Sequence, residues 1–377
     1  MQVRLFKPSV GEAEIAAIRE VFDRAWLGLG PTVGRFESEW SRHIGAEVSV
    51  GVNSGTAALH LALAAFNFPA GAKVLVPAIT FVSTATAALY NGLEPVFVDV
   101  DPDTLGLDLD DLEKKITLEC VAVMPVHFGG HPVPMDRLMA IARRHGLKVV
   151  EDCAHCAGGS YQGRKLGMWG DIGCFSFEEK KGMTTGDGGM ICSNNPALVT
   201  PLRAHRWVGI DRDTWRRSSQ YTAAEDDDAL HWHYEVAVLG YKYNMNDLMA
   251  AIGLVQLAKL DRMNQRRAAI IARYLDGISG VQYLRPLLPY DLSGSAYWLF
   301  GVRCDARDQL ILHLKRKGIA TGVHYLPLPL HPLFNKHKEP VPTALRIWKQ
   351  IVTLPLFADL TDEEVDYVIA GLRSFAT

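Results

Sequence analysis

From about residue 48 to residue 195, short apolar runs alternate with helix-patterned segments. "VSVGV", "KVLVPA", "PVFVDV", "CVAVMPVH" and "LKVVEDC" read as strands, since each is a brief, nearly continuous apolar stretch. Between them lie "GTAALHLALAAF", rich in the good helix formers alanine and leucine, "STATAALYNG", with glycine at its end, and "MDRLMAIARRHG". Strand, helix, strand at this spacing predicts βαβ units and an α/β architecture. The expected sheet is mostly parallel and flanked by helices, which lets its strands be apolar on both faces.

The pattern then breaks. Residues 211–240 are polar, aromatic-spotted and aperiodic, which predicts a long loop, and the acidic run at 225–228 reads as a solvated face. A long amphipathic helix follows in "MNDLMAAIGLVQLAKLDRMNQRRAAIIARYLDGI", a natural connector. The stretch with "YWLFGVRC", a helix at 306–317 and a terminal helix in "EEVDYVIAGLRSF" predict a smaller α+β domain. The division expected is a large domain with the N-terminal segment over 1–250, and the connecting helix with a small domain over 251–377.

Composition narrows the class. The 377 residues suffice for a large core, and 48% hydrophobic with 21% charged residues is ordinary for a globular protein. A net charge of −3 offers no basic field for nucleic acid or anionic membrane. No run approaches the apolar length of a membrane span, and "MQVRLFKPSVGEAEIAAIRE" lacks a signal-peptide core, so a cytoplasmic protein is expected. Of six cysteines, Cys153 and Cys156 form a C-x-x-C; without a second pair it reads as buried packing rather than a metal site.

Four features carry chemistry. Ser54, Gly55 and Thr56 stand between a strand and a helix, where free amides, hydroxyls and the positive helix end make an anion cradle. Asp152 closes a strand at the carboxyl edge of the sheet, the usual ligand crevice. Phe81 follows a strand and is positioned to stack on a flat ring. In "SFEEKKGMTTGDGG", Ser176 precedes Lys181 by five residues, and a glycine-rich turn sends the chain back. Taken singly, these read as a helix cap, a loop acid, a core aromatic and a charged turn. Together they supply a phosphate site, a carboxylate for a heteroaromatic nitrogen, an aromatic platform and an amine, which are the needs of pyridoxal 5′-phosphate.

Nearly the whole chain resembles the DegT/DnrJ/StrS family of pyridoxal-phosphate-dependent sugar aminotransferases. The resemblance rests on "WLGLGPTVGRFESEW", "NSGTAALHLAL", "VPAITFVSTATA", "PVHFGG", "VVEDCAHCAGGSYQGRKLGMWGDIGCFSF", "TTGDGGMI", "GYKYNMNDLMAAIGLVQL", "TGVHYLPLPLH" and "TLPLFADLTDEEVDYVI". It implies a fold-type I enzyme, its large domain built on a mostly parallel mixed sheet, with Lys181 as the cofactor-bonding lysine and Lys180 as its neighbour. By the same resemblance Asp152 meets the pyridine nitrogen, His155 lies near the ring's 3′-oxygen, and Ser54, Gly55, Thr56 and Ser176 hold the phosphate. Phe81 falls on the stacking aromatic.

Two positions depart from the family pattern. Gly182 follows the lysine where many relatives have asparagine, and "GYKYN" puts Lys242 and Asn244 where an asparagine reaches the partner subunit's cofactor phosphate. The implied reaction carries an amino group from an amino acid, L-glutamate by family habit, to a keto group on a nucleotide-linked deoxysugar, in a homodimer with shared active sites. A cyclitol ketone is an alternative acceptor, and a non-catalytic cofactor-binding regulator an alternative class. Gly28, Gly30, Pro31, His324, Tyr325 and His331 are candidates for the substrate side. Lysine at 181, where sugar dehydratases of the family carry histidine, disfavours dehydration.

Overall fold

The computed structural model describes residues 1–210, 235–236, 238–287, 289–292, 296–337 and 339–375. The acidic run at 225–228, and nearly all of the loop expected over 211–240, lie outside the described residues.

Seven strands form the main sheet: β1 (Val48–Val52), β2 (Lys73–Pro77), β3 (Glu94–Val98), β4 (Cys120–Val123), β5 (Lys148–Asp152), β8 (Ile172–Ser176) and β9 (Gly189–Ser193), with a small hairpin, β6 (Ser160–Tyr161) and β7 (Arg164–Lys165), between β5 and β8. Their order is β1-β9-β8-β5-β4-β2-β3. β3, β2, β4, β5 and β8 run parallel, while β9 is antiparallel to both of its neighbours. The expected mixed, mostly parallel sheet is therefore present. The reversal at β9 follows from the "TTGDGG" turn: the chain doubles back and pairs Ser176 with Gly189 and Gly173 with Cys192. All five residues of β1, β8 and β9 are buried, as strands covered on both faces must be.

Helix Gly55–Ala64 follows β1 and is buried at every position from Ala57 to Leu63. It is apolar on all sides because it packs inside the main core with Val74, Val76, Phe97 and Val150. At the end of β5, alternation of side chains divides two adjacent acids. Glu151 turns away from the future site and accepts hydrogen bonds from the amides of Trp169 and Gly170 (both 2.7 Å) and Gly167 (2.9 Å), with His127 Nε2 at 3.1 Å. Asp152 points to the other side.

The 31-residue helix Asp247–Gly277 is capped by Asn246, whose Oδ1 accepts from the Met249 amide at 2.9 Å. Its first half, with Ala250, Leu257 and Leu260, packs on Phe36, Trp40, Phe175 and Phe177. Its second half, with Ile270, Ile271 and Tyr274, packs instead on Phe300, Val302, Leu310, Leu354 and Val368. These last residues belong to a three-stranded antiparallel sheet, β10 (Arg285–Pro286), β11 (Phe300–Arg303) and β12 (Ile351–Leu354), and to helices Arg307–Arg316 and Asp362–Arg373. The change of core thus falls within this one helix. Among the described residues, no helix is long and apolar enough to cross a membrane.

Candidate active site

A cavity of about 370 Å³ opens at the carboxyl ends of β1, β5 and β8, and its lining includes Ser54, Thr56, Asp152, His155, Lys181 and Trp298. The first turn of helix Gly55–Ala64 forms one wall. Ser54 is its N-cap, with extended backbone and its Oγ accepting from the Ala57 amide at 3.1 Å. Gly55 is required by proximity: a Cβ there would sit 2.7 Å from Cβ of Ser176. Thr56 Oγ1 lies 2.6 Å from Ser83 Oγ, at the first turn of helix Ser83–Tyr90. Hydroxyls of Ser54, Thr56, Ser83 and Ser176 therefore gather beside helix-terminal amides, a donor set suited to a phosphate.

Asp152 is buried on the opposite wall. Thr84 Oγ1 donates to its Oδ2 at 2.8 Å, the Ala154 amide donates to its Oδ1 at 3.1 Å, and Thr80 in turn braces Thr84 at 2.9 Å. Burial raises the carboxyl's pKa, against the opposing pull of these hydrogen bonds and of the nearby Lys181 charge. An acid this restrained, facing a cavity, suits a cationic group such as a protonated ring nitrogen.

Lys181 is half-buried on the cavity wall, its Nζ 4.0 Å from the centroid of the Trp298 ring. Burial brings its pKa down to about 8, although Asp152 and Glu178 pull the other way. The Trp298 indole N–H donates to the Lys180 carbonyl at 2.6 Å, so the tryptophan grips the backbone just before the amine. On its other contacts Trp298 stacks with His155 (centroids 4.1 Å apart, planes 19° apart) and Phe6 (5.0 Å, 4°). The Gly129 amide donates to Nδ1 of His155 at 3.2 Å, which leaves Nε2 to carry the proton. Burial, with the charges of Lys181 and His324, holds this imidazole's pKa well below the usual value, so it is neutral.

Several expected residues meet here: Ser54, Gly55, Thr56, Asp152, His155, Ser176, Lys181, His324 and Tyr325 all line the cavity. Tyr325 Oη lies 3.4 Å from His155 Nε2, and His324 Nδ1 lies 2.8 Å from Thr353 Oγ1. Phe81 also lines it but stands at the mouth, 53% exposed, 6.0 Å from the Tyr325 ring. Others stay apart. Lys242 Nζ sits over the Trp207 ring, 3.0 Å from its centroid, and Asn244 donates to the Met245 carbonyl at 3.1 Å. Gly28 gives its carbonyl to the Asp247 amide, Gly30 and Pro31 open helix Pro31–Ile44, and His331 follows a short 3-10 turn. None of these six lines the cavity of its own chain.

Hydrophobic patterning does not mark Trp298, Ser83 or Thr84 as part of this site. The hydroxyl-dense start "STAT" was a usable signal for the last two; Trp298 had none, lying in a strand-like run remote in sequence from Lys181. Cys153 and Cys156 are buried as expected, and burial raises both thiol pKa values. Their ligand atoms and those of His127 lie within 4.8 Å of one another, but both ring nitrogens of His127 are engaged, by Glu151 and by the Val133 amide.

The DegT/DnrJ/EryC1/StrS aminotransferase family profile matches residues 8–373. The chain is 38% identical to the spore coat polysaccharide biosynthesis protein SpsC of Bacillus subtilis, over 97% of this chain and 95% of that one. Among solved structures it resembles the aminotransferase TlmJ of Streptoalloteichus hindustanus (TM-score 0.90, 35% identity, covering 99% and 98% of the two chains). It also resembles the putative sugar aminotransferase Spr1654 of Streptococcus pneumoniae, solved in PLP and PMP forms; the PMP form gives a TM-score of 0.91 at 29% identity, covering 99% and 98%. The chain belongs to the DegT/DnrJ/EryC1/StrS aminotransferase family and is a pyridoxal 5′-phosphate-dependent transaminase.

Proposed function

We propose that this transaminase moves an amino group from an amino acid, with L-glutamate as donor, to the keto group of a nucleotide-linked deoxysugar, as a homodimer with shared sites. The observation that carries the reading is the convergence of Lys181, Asp152 and a hydroxyl cradle on one cavity, in a chain whose relatives include a polysaccharide biosynthesis protein and a putative sugar aminotransferase.

In this reading Ser54, Thr56 and Ser176, with the first amides of helix Gly55–Ala64, would hold the cofactor phosphate, and Phe81 at the mouth would offer an aromatic face to the ring. When bound, the cofactor supplies an electron-withdrawing ring that stabilises negative charge on the carbon bearing the transferred nitrogen. Asp152 keeps a proton on the ring nitrogen, fixed for that task by Thr84 and the Ala154 amide. His155, neutral, offers its Nε2–H to a ring oxygen without adding charge. Nζ of Lys181 would be the amine that holds the cofactor and, when free, the base that moves the proton at the amine-bearing carbon; a pKa of about 8 leaves part of it neutral near physiological pH. Lys242 reaches the phosphate in the partner subunit, a role its position outside its own cavity allows.

The test is a half-reaction screen. Enzyme carrying the aminated cofactor is mixed with nucleotide-linked keto sugars, free keto sugars and cyclitol ketones, and recovery of the cofactor's visible absorbance is followed. Recovery with nucleotide-linked sugars supports the proposal; recovery only with cyclitol ketones or free sugars overturns it.

A further inference from the structure

Behind the Lys181 segment lies a buried cation that the reaction does not use. Arg267, on helix Asp247–Gly277, is 4% exposed. Its Nη2 donates to Asn264 Oδ1, its Nε has no hydrogen-bond partner, and no carboxylate pairs with it among the described residues. The guanidinium faces Gly182: a Cβ at that glycine would lie 3.3 Å from Nη2. Beside it is a void of about 20 Å³, lined in part by Lys7, Lys180, Lys181, Gly182 and Thr184, and by no acid. Gln256, also on its wall, binds the buried carboxylate of Glu14, but that acid is already committed to Lys259, Gln256 and the Gly11 amide. Burial lowers the Arg267 pKa to about 10, which still leaves it charged at neutral pH. A buried charge with no counter-charge is costly, and a water in the void would not neutralise it. The void is large enough for a single small ion.

We propose that Arg267 and Gly182 form a binding site for a small monovalent anion of halide size, behind the Lys181 segment and separate from the substrate cavity. The anion neutralises Arg267 and ties the backbone at Gly182 to the long helix, so it steadies the segment that carries Lys181. The site depends on glycine at 182, because a larger residue there would enter the space beside the guanidinium.

The probe is bromide. Holoenzyme in sodium gluconate is transferred to sodium bromide at equal sodium concentration, and Tm is followed. A saturable rise of about 2–4 °C is expected once bromide exceeds its Kd about a hundredfold. Crystals in bromide should give an anomalous peak between the Arg267 guanidinium and Gly182. Arg267→Met and Gly182→Asn, whose amide oxygen would take the anion's place, should lose both signals; each variant's Tm in gluconate reports whether it folds. The wild-type crystal decides even where a variant does not fold. No bromide-specific rise, a peak elsewhere, or an undiminished response in a folded Gly182→Asn would overturn the proposal.

Discussion

Lys180 and Lys181 are adjacent in sequence and opposite in environment. The Lys180 side chain is 56% exposed beside Glu178, while Lys181 is half-buried and turned into the cavity, its Nζ over the Trp298 ring. Lys181→Ala is therefore expected to abolish transamination and Lys180→Ala to keep most of it, since the Lys180 contact that matters, its carbonyl to Trp298, belongs to the backbone. Borohydride reduction and peptide mapping check this, and label on Lys180 would refute it. The pKa of Lys181 gives a pH dependence with a definite sign. It is about 8 in the folded chain against 10.5 for a free lysine, so between those values the unfolded chain holds the proton more firmly. Stability of the cofactor-free protein should therefore gain from this group as pH rises through about 8, and Lys181→Met should remove that gain in urea titrations. Asp152→Asn should retain cofactor, through phosphate and ring contacts, yet lose roughly 100-fold or more in turnover, because an amide cannot hold the ring nitrogen's proton. Near-normal turnover would make Asp152 an ordinary buried acid.

At the scale of elements, the site depends on how closely helix Gly55–Ala64 approaches the end of β8. Gly55→Ala tests this. Helix propensity favours alanine, by less at this first helical position than the roughly 1 kcal/mol of a helix interior, but a Cβ 2.7 Å from Ser176 must push the helix start away from the cradle, and overpacking of this kind costs about 1–3 kcal/mol. A tenfold or greater loss of cofactor affinity by titration is expected, without the stability gain that propensity would give; a variant both more stable and equally tight would show that the contact yields freely. The same elements explain what could be read in advance. β1, β2 and β5 were legible because strands covered on both faces are nearly continuous apolar runs, and helix Gly55–Ala64 because it is built of alanine and leucine. β8 and β9 were read only as parts of motifs, since glycines in "GDIGCFSF" and "DGGMICS" interrupt the apolar signal. Asp152 stands out by its place at the end of a strand, whereas Lys181 is distinguished from Lys180 only through the resemblance to the family. Thr84 under Asp152 and Trp298 under Lys181 were not legible, because such pairings are made by tertiary packing and leave no periodicity behind.

For the whole molecule, the question is whether one chain completes another's site. Lys242 stands outside its own cavity, over Trp207, in a segment that enters helix Asp247–Gly277; burial lowers its pKa in the single chain. If it donates to the partner's cofactor phosphate, a charged hydrogen bond of about 1.5–3 kcal/mol is at stake, or roughly ten- to hundredfold in cofactor affinity. Single variants distinguish Lys242 from Asn244: loss of affinity in Lys242→Ala but not Asn244→Ala supports the assignment, and the converse transfers the contact to Asn244. Only a mixed dimer shows that the contact crosses between subunits. In a dimer of one Lys181→Ala chain and one Lys242→Ala chain, a crossing contact gathers both defects into one site and leaves the other intact. With random pairing, half the dimers are mixed, so about a quarter of all sites should regain wild-type behaviour at limiting cofactor. If Lys242 serves its own chain, every site in the mixture carries one defect and no recovery appears. Co-expression of the two variants with different affinity tags, isolation of the mixed dimer and titration with cofactor would therefore separate the two arrangements, because only the crossing one yields a tight, active half-complement of sites.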